Sequence, residues 1–280
     1  MPTGVTISSL LMSSEDETYH IYIMIAGDVD ESDREKLTRQ VKLLSEGSKI
    51  SFVEMDKYYN DVYEVRGISK ATYYRLMIPW LIPDVDKIIY ADVDIIFKTS
   101  LREIYDMDLE GKYLAGAITR TAEEWRKYKK YFDKIGADYS QYFNAGILVI
   151  NSKLQRECNL DKEYEQLTEK KFLYQDQDIL NITSKGKSAF FDKRYNLLPA
   201  LYATEEKYSG NVVIHYAGEK PWVTFTYAWA EWWDVYNRTI FREDGFYHKV
   251  SRNILNPIEP LRMLAKKGKI HLQILKRKIF

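Results

Sequence analysis

The sequence has little cysteine, no excess of charge of either sign and no long apolar run. Its one cysteine, Cys158, excludes an internal disulfide, so a reducing compartment is the simpler expectation. The 41 basic residues balance the 41 acidic residues, which argues against a general nucleic-acid binder. Apolar stretches such as 76–83 are far too short to span a bilayer. The N-terminal residues lack a signal-peptide pattern, and we therefore expect a cytoplasmic protein.

What the sequence does contain is a regular alternation of strand and helix patterns. The alternation predicts an α/β fold of doubly wound type, with a Rossmann-like sheet that is mixed, mostly parallel and flanked by helices. Ligands in such folds bind beyond the carboxyl ends of the strands. The predicted strands are 19–27, 49–55, 87–97, 111–119, 143–151, 187–192 and 211–218, and the predicted helices are 30–45, 69–82, 123–132, 159–171, 175–185 and 227–239.

Two aspartates separated by one residue occur five times, and such a pair is a natural cation site. The triplet at 28–30 precedes a helix, where carboxylates cap free amide groups. The triplet at 84–86 follows a proline and is expected in an exposed turn. We assign 106–108 to a loop. The triplet at 176–178 starts a predicted helix, where spacing does not separate a cap from a site.

The remaining triplet, Asp92 and Asp94, differs because it interrupts the apolar stretch IIYADVDIIF. Residues i and i+2 of an extended chain point to the same side, so the two carboxylates should converge. Like charges in a partly buried site need a positive partner. That partner is either a lysine or arginine or a hard divalent cation such as Mn²⁺ or Mg²⁺, and spacing and burial favour the cation slightly.

Four stretches, taken in order, resemble glycosyltransferase family 8, the retaining transferases of GT-A type. The resemblance extends over roughly residues 5 to 237. The family includes bacterial lipopolysaccharide galactosyl- and glucosyltransferases. The stretches are TYYR (72–75) leading to YADVD (90–94), then FNAG (143–146), YQDQD (174–178) and HYAGEKPW (215–222).

The resemblance implies a metal site and a clamp for the donor diphosphate. Asp92 and Asp94 match the metal-binding Asp-x-Asp of the family, and His215 matches the histidine that completes a Mn²⁺ site, with Mg²⁺ as an alternative. Lys220 and the backbone around Gly218 match the pyrophosphate clamp. Metal and lysine together would neutralise the departing nucleoside diphosphate.

The resemblance also implies contacts to the donor sugar. Arg75, Asn144, Ala145 and Asp176 match donor-binding positions, and Gln177 matches the position nearest the reacting face of the sugar. Asp176 and Gln177 are thus the implied catalytic residues. Because an amide is a poor nucleophile, we favour attack by the acceptor on the same face as the leaving group, with the departing phosphate accepting the proton.

The implied function is Mn²⁺-dependent transfer of glucose or galactose from a UDP-hexose to a cell-surface glycan or glycolipid. The sequence departs from the family pattern in two places. Residues 1–11 resemble the helix that follows the first strand of the family, so that strand is expected to be missing. Residues 119–121 read Thr-Arg-Thr where many relatives carry an acceptor-side aspartate. The alternative function is a degenerate UDP-sugar-binding protein. A nucleotidyltransferase would need a Gly-rich phosphate loop, which the N-terminal region lacks.

We assign residues 1–245 to the transferase domain and 246–280 to a basic tail. From Lys249 onward the tail has nine Lys or Arg and one acid, Glu259, and its leucines recur at helical spacing. A basic amphipathic helix either lies on an anionic membrane surface or docks on its own domain. The resemblance to bacterial transferases favours the membrane, on the inner face of the cytoplasmic membrane.

Overall fold

The computed structural model describes residues 1–27, 29–64, 69–204, 208 and 210–255. Strands and helices alternate through these residues, as the sequence pattern predicts. The strands are β1 (His20–Ile25), β2 (Lys49–Glu54), β3 (Lys87–Ala91), β4 (Ile95–Phe97), β5 (Leu114–Ala117), β6 (Asn144–Asn151), β7 (Ser188–Phe190) and β8 (Val213–His215).

The helices include several short ones that the sequence pattern did not predict. Three further segments, Lys70–Met77, Arg126–Tyr128 and Lys193–Asn196, are 3-10 helices. Within the described ranges, no helix has the length and apolar character needed to cross a membrane. The α-helices are α1 (Pro2–Met12), α2 (Glu31–Leu44), α3 (Ile78–Leu81), α4 (Arg102–Tyr105), α5 (Ala122–Trp125), α6 (Lys129–Ile135), α7 (Ser152–Glu157), α8 (Leu160–Thr168), α9 (Gln175–Thr183), α10 (Pro199–Thr204), α11 (Trp229–Asn237) and α12 (Phe246–Leu255).

Backbone pairing groups the described strands into three small sheets. β1 pairs with β2 in parallel, β4 pairs with β8 antiparallel, and the largest sheet has the order β3-β6-β5-β7. In that sheet β6 runs antiparallel to β3 and to β5, whereas β5 and β7 are parallel. The mixed α/β architecture is confirmed, but the mostly parallel pairing is wrong. Doubly apolar strands indicate that both faces are covered, and they do not encode the direction of the neighbour.

Strand β6 is the centre of the core. Ile147 and Val149 point to one face, where they join Ile95 and Val213 in one buried cluster. Leu148 and the other alternate residues point to the opposite face, against helices α8 and α9. This alternation follows from the period of two in an extended chain. Both faces are therefore covered, and the ends of the strands remain for polar side chains.

The strand predicted over 87–97 is interrupted at the acidic triplet. β3 ends at Ala91, residues 92–94 leave the ladder, and β4 begins at Ile95 on a different partner, β8. Val93, between the two carboxylates, is 50% exposed. Two adjacent like charges are unfavourable inside a buried ladder, which accounts for the break.

Helix α1 fixes the backbone of this interrupted segment. The Thr6 hydroxyl lies 2.7 Å from the carbonyl oxygen of Val93 and 2.9 Å from that of Ile95. Ser9 Oγ accepts a hydrogen bond from the Phe97 amide at 3.0 Å. The loop that carries the two aspartates is therefore held on both sides of the second carboxylate.

The helix predicted over 69–82 has the expected position but a different type. Lys70–Met77 is a 3-10 helix, and α3 follows directly. Because a 3-10 helix has three residues per turn, Thr72 and Arg75 share one face. Arg75 Nε donates to the Thr72 carbonyl at 2.9 Å, and the arginine side chain is 5% exposed. The arginine thus lies in the interior, although alone it would read as a surface charge.

Helix α12 covers the first part of the predicted basic tail. Val250 is buried, and Phe246 packs against Trp233 with 5.5 Å between ring centroids. The described part of the tail therefore docks on the domain. Residues 256–280 lie outside the described residues, so their contact with a membrane stays a prediction.

Candidate active site

The predicted site residues lie close together, although they belong to elements that are distant in sequence. Asp92 follows β3, Asn144 begins β6 and His215 ends β8. Helix α9 starts beside them with Asp176 near its first residue. Direct contacts join these side chains into one network, and Gly218 lies exposed in the turn after β8.

The first part of the network is a cluster of Asp92, Asp94 and His215. His215 Nε2 lies 3.7 Å from Asp92 Oδ2 and 3.4 Å from Asp94 Oδ1. One ligand atom from each residue lies within 4.8 Å of the others. Asp94 and His215 are buried, whereas the Asp92 side chain is 24% exposed. The cluster therefore opens to solvent on the side of Asp92.

The chemistry of this cluster fits a divalent cation. Asp94 Oδ1 is buried and has no hydrogen-bond partner within the described part of the chain. An unsatisfied buried acceptor costs about 1–3 kcal/mol, and more when it is charged. Carboxylate oxygens suit hard divalent cations, and an imidazole nitrogen suits transition metals. A cation among these three groups would satisfy the orphaned oxygen.

Lys220 supplies a positive charge at the same carboxylate. Its ammonium group contacts Asp94 Oδ2 and donates to the Tyr216 carbonyl at 2.6 Å. Burial acts to raise the pKa of the Asp94 carboxyl, but the neighbouring His215 and Lys220 outweigh burial and hold that pKa well below its usual range. Asp94 therefore stays ionised. The sequence left a lysine or a divalent cation as alternatives; the structure places a lysine at one oxygen of this carboxylate, and the other, orphaned oxygen fits a cation.

Arg75 ties the metal cluster to the second part of the network. Its Nη2 lies 3.0 Å from Asp92 Oδ1, and its Nε lies 3.0 Å from Asp176 Oδ2. The guanidinium also donates to the Ala145 carbonyl and stacks over the Tyr90 ring, 4.5 Å from its centroid. One buried cation thus serves two carboxylates. Burial favours the neutral form of Arg75, but the two carboxylates prevail and raise its pKa.

The ionised form of the Asp176 carboxyl is disfavoured by its burial. The residue is 4% exposed. Burial raises the pKa of its carboxyl to about 6, although Arg75 and the Thr72 hydroxyl act in the opposite direction. The negative charge of Asp92 adds to the rise because like charges repel. The carboxylate remains ionised at neutral pH, but its ionisation is disfavoured by burial.

Gln177 and Asn144 join helix α9 to the start of β6. Gln177 Oε1 accepts hydrogen bonds from Asn144 Nδ2 and from the Ala145 amide, both at 3.1 Å. Asn144 Oδ1 accepts from the Gly146 amide at 3.0 Å. The side chains predicted to face the donor sugar are therefore held by fixed backbone donors.

The two aspartates of the triplet 176–178 have separate environments. Asp178 Oδ1 accepts from the Tyr142 hydroxyl at 2.5 Å. Its Oδ2 accepts from the Tyr131 hydroxyl and from the Tyr174 amide, the latter at 2.7 Å. Residues i and i+2 of a helix lie on different faces. Asp176 consequently faces Arg75, while Asp178 is buried in an aromatic cluster.

Two of the other triplets differ from the site in exposure. Asp84 and Asp86 are exposed in a turn, as predicted, and Asp86 pairs with Arg156 at 2.8 Å. Asp30 occupies the N-cap position of α2, but its side chain makes no capping hydrogen bond, contrary to the prediction. Its neighbour Asp28 lies outside the described residues.

Two residues that shape the site received no role from the sequence. A Cβ atom on Gly146 would lie 2.1 Å from His215 Cε1, so the imidazole ring packs on this glycine. Asn196 is fully buried, and its Oδ1 lies 2.7 Å from His215 Nδ1. Gly146 was visible in the FNAG stretch. Asn196 had no signal, because only the fold brings its 3-10 helix to the histidine.

The chain is similar in sequence to known glycosyltransferases. The family described as Glycosyl transferase family 8 matches residues 1–226. A putative glycosyltransferase of Haemophilus influenzae is 38% identical over 139 residues, which cover 47% of this chain and 40% of that protein. The lipopolysaccharide 1,3-galactosyltransferase of Salmonella typhimurium is 25% identical over 234 residues, covering 78% of this chain and 68% of that protein.

A solved structure extends the comparison to the fold. The crystal structure of the galactosyltransferase LgtC in complex with donor and acceptor sugar analogs superposes with a TM-score of 0.73 at 26% identity. The superposition covers 89% of this chain and 95% of that chain. The GT-A type of α/β fold expected from the sequence is thereby confirmed.

Proposed function

The chain belongs to glycosyltransferase family 8, and from this premise we propose that it is a retaining α-glycosyltransferase that uses UDP-glucose or UDP-galactose. Its acceptor in this proposal is a glycan or glycolipid of the cell surface. The similarity to the Salmonella typhimurium lipopolysaccharide 1,3-galactosyltransferase supports that acceptor class.

The observation that carries the proposal is the convergence of Asp92, Asp94 and His215 around an orphaned carboxylate oxygen. These three residues would hold Mn²⁺, with Mg²⁺ as the alternative. When bound, the cation would neutralise negative charge on the departing diphosphate. Such charge neutralisation at a leaving group is a large catalytic effect in a site that excludes water.

Lys220 would bind the diphosphate together with the cation. Its ammonium group contacts Asp94, and its side chain is 32% exposed. With Asp94 serving as a metal ligand, Lys220 would be able to turn toward solvent, where the diphosphate lies in this proposal. The exposed turn at Gly218 would supply backbone donors beside it.

At the sugar end, Asp176, Asn144 and Ala145 would orient the hexose. Arg75 contacts both Asp92 and Asp176, so it fixes the sugar-binding carboxylate relative to the metal cluster. A carboxylate that accepts hydrogen bonds from sugar hydroxyls gives both affinity and orientation. Arg75 therefore aligns the two ends of the donor.

Gln177 sits nearest the reacting face in this proposal and is a poor nucleophile. We therefore place the acceptor hydroxyl on the same face as the leaving group. Its oxygen forms the bond to the anomeric carbon as the bond to the phosphate oxygen breaks, and the departing phosphate takes the proton. The Gln177 amide would stabilise the positive charge that develops on the sugar ring.

The site of action in this proposal is the inner face of the cytoplasmic membrane. Of the basic tail, 246–280, the part that follows the docked helix α12 would contact anionic headgroups there while the domain remains in the cytoplasm. Each basic residue near such a surface contributes about 1 kcal/mol.

The test is hydrolysis and transfer with UDP-glucose and UDP-galactose, with Mn²⁺ and with a chelator. We expect turnover that needs the cation and a loss of at least about 100-fold in Asp94→Asn. Asp86→Asn, in the exposed triplet of the same sequence, is the matched control and should keep full activity. Full activity in Asp94→Asn would refute the metal assignment. Calorimetry that detects UDP binding with Mn²⁺ but no turnover would indicate the sugar-nucleotide-binding alternative.

A further inference from the structure

Asn196 is a buried amide with a polar group at each end. It closes the 3-10 helix Lys193–Asn196 and is fully buried. Its Oδ1 lies 2.7 Å from His215 Nδ1, and its Nδ2 lies 2.9 Å from Asn144 Oδ1. It therefore connects the metal cluster to the side chains predicted to face the donor sugar.

Two backbone amides fix the orientation of every amide in this chain of contacts. The Gly146 amide can only donate, so Asn144 Oδ1 accepts it at 3.0 Å. The Ala145 amide likewise donates to Gln177 Oε1 at 3.1 Å. If the oxygen and nitrogen of the Asn144 amide exchanged places, its NH₂ group would face the Gly146 N–H, and its oxygen would face the oxygen of Gln177. Asn196 must therefore present its NH₂ group to Asn144.

The orientation of Asn196 determines which histidine nitrogen carries the proton. With its NH₂ group directed to Asn144, Asn196 presents its oxygen to His215 Nδ1, which must donate. In the neutral ring, Nε2 then has a lone pair. That lone pair faces the orphaned Asp94 Oδ1 at 3.4 Å. An acceptor nitrogen beside an acceptor oxygen is a poor contact unless a cation lies between them.

We propose that Asn196 is a positioning residue that holds neutral His215 as the Nδ1–H tautomer, so that Nε2 is available to a divalent cation. The same residue, through Asn144, sets the position of Gln177. The identity of the cation rests on the proposed function, but the tautomer does not. Outer partners of this kind orient metal-binding histidines, and their loss typically costs about 10- to 100-fold in metal affinity.

Two substitutions separate these roles of Asn196. Asn196→Asp retains an acceptor for His215 Nδ1 but has no donor for Asn144 Oδ1. Asn196→Ala removes both contacts. In the alanine variant neutral His215 is free to move its proton to Nε2 and to donate it to Asp94, which would block the metal-facing nitrogen.

The first measurement needs no metal, nucleotide or turnover. Long-range ¹H–¹⁵N spectra of ¹⁵N-labelled, metal-free protein at alkaline pH report which imidazole nitrogen is protonated, and His215→Gln assigns the signal among the four histidines. We expect the Nδ1–H form in the wild type and in Asn196→Asp, and the Nε2–H form in Asn196→Ala. An Nε2–H ring in the wild type, or an unchanged tautomer in Asn196→Ala, would overturn the proposal.

The second measurement is Mn²⁺ binding and kinetics on the same proteins, with urea unfolding to verify that each is folded. Asn196→Ala should bind Mn²⁺ about 10- to 100-fold more weakly. Asn196→Asp should keep the Mn²⁺ affinity but lose kcat, because Asn144 and Gln177 are no longer held. Equal Mn²⁺ affinity in the wild type and Asn196→Ala would contradict the proposal. Absence of turnover in the wild type would refute the proposed function and leave the tautomer result intact.

Discussion

Replacing Asp176 by asparagine is expected to stabilise the fold at neutral pH while it removes activity. Asp176 is 4% exposed and shares Arg75 with Asp92. Burial raises the pKa of its carboxyl from 3.8 to about 6. Asparagine keeps the shape of the side chain and an acceptor oxygen for Arg75, but it removes the buried charge.

The sign and size of the effect follow from proton linkage. Because the pKa of Asp176 is raised on folding, the folded protein binds more protons than the unfolded chain between about pH 4 and about pH 6. The contribution of Asp176 to the free energy of unfolding therefore falls as the pH rises through this window. A rise of about two pKa units corresponds to about 3 kcal/mol. Asp176→Asn should exceed the wild type by up to this amount above about pH 7 and match it below about pH 4.

Urea unfolding of metal-free protein, followed by tryptophan fluorescence at about pH 4 and about pH 7.5, measures the difference. Asp84→Asn, in the exposed turn, is the control and should change the free energy of unfolding by less than about 0.5 kcal/mol at either pH. An asparagine variant that is less stable than the wild type at both pH values would refute the reasoning. It would mean that the pair with Arg75, and not burial, decides the ionisation of Asp176.

Three further predictions concern the metal cluster and the tail. Gly146→Ala should displace the imidazole ring, lower the free energy of unfolding by about 1–3 kcal/mol and weaken Mn²⁺ binding measured by calorimetry. Gly210→Ala, where a Cβ meets no atom within 4 Å, is its control; equal Mn²⁺ affinity in the two variants would contradict the packing argument. Lys220→Met should bind Mn²⁺ up to about five-fold more tightly without nucleotide, because a competing ammonium is removed, yet bind UDP more weakly. Weaker metal binding in this variant would show that the lysine does not compete. Changing the basic residues 276–278 to glutamine should reduce sedimentation with anionic vesicles at low salt, and unchanged binding would refute a membrane role for the tail.

The outline of the fold could be predicted because it depends on local pattern. Strand β6 has apolar residues at consecutive positions, so both of its faces are apolar. The structure buries both faces. The direction of its neighbours could not be predicted, since burial is the same beside a parallel or an antiparallel strand. The break between β3 and β4 was missed for a related reason. The flanking residues favour a strand. The cost of burying the charges of Asp92 and Asp94 side by side arises only in the folded sheet.

The candidate site shows the same division. The letters DVD occur at 84–86 and at 92–94, and apolar neighbours alone separated the exposed copy from the buried one. Arg75 was harder to place from sequence, because its burial depends on the 3-10 geometry of its helix. The role of Asn196 could not be predicted from residue spacing. Its contacts to His215 and Asn144 are 19 and 52 residues distant in sequence.

The net charge of the site links the binding of a metal ion to the binding of the donor. Three carboxylates, on Asp92, Asp94 and Asp176, face two fixed cations, Arg75 and Lys220. These five side chains together carry a net charge of −1, and the orphaned oxygen of Asp94 lies where that charge is uncompensated. A divalent cation would change the net charge of the site from −1 to +1, which an anionic diphosphate would then neutralise. Metal and donor should therefore bind with positive cooperativity, each strengthening the other by the same factor. Calorimetric titration of UDP with and without Mn²⁺ measures that factor, and independent binding would refute the charge argument.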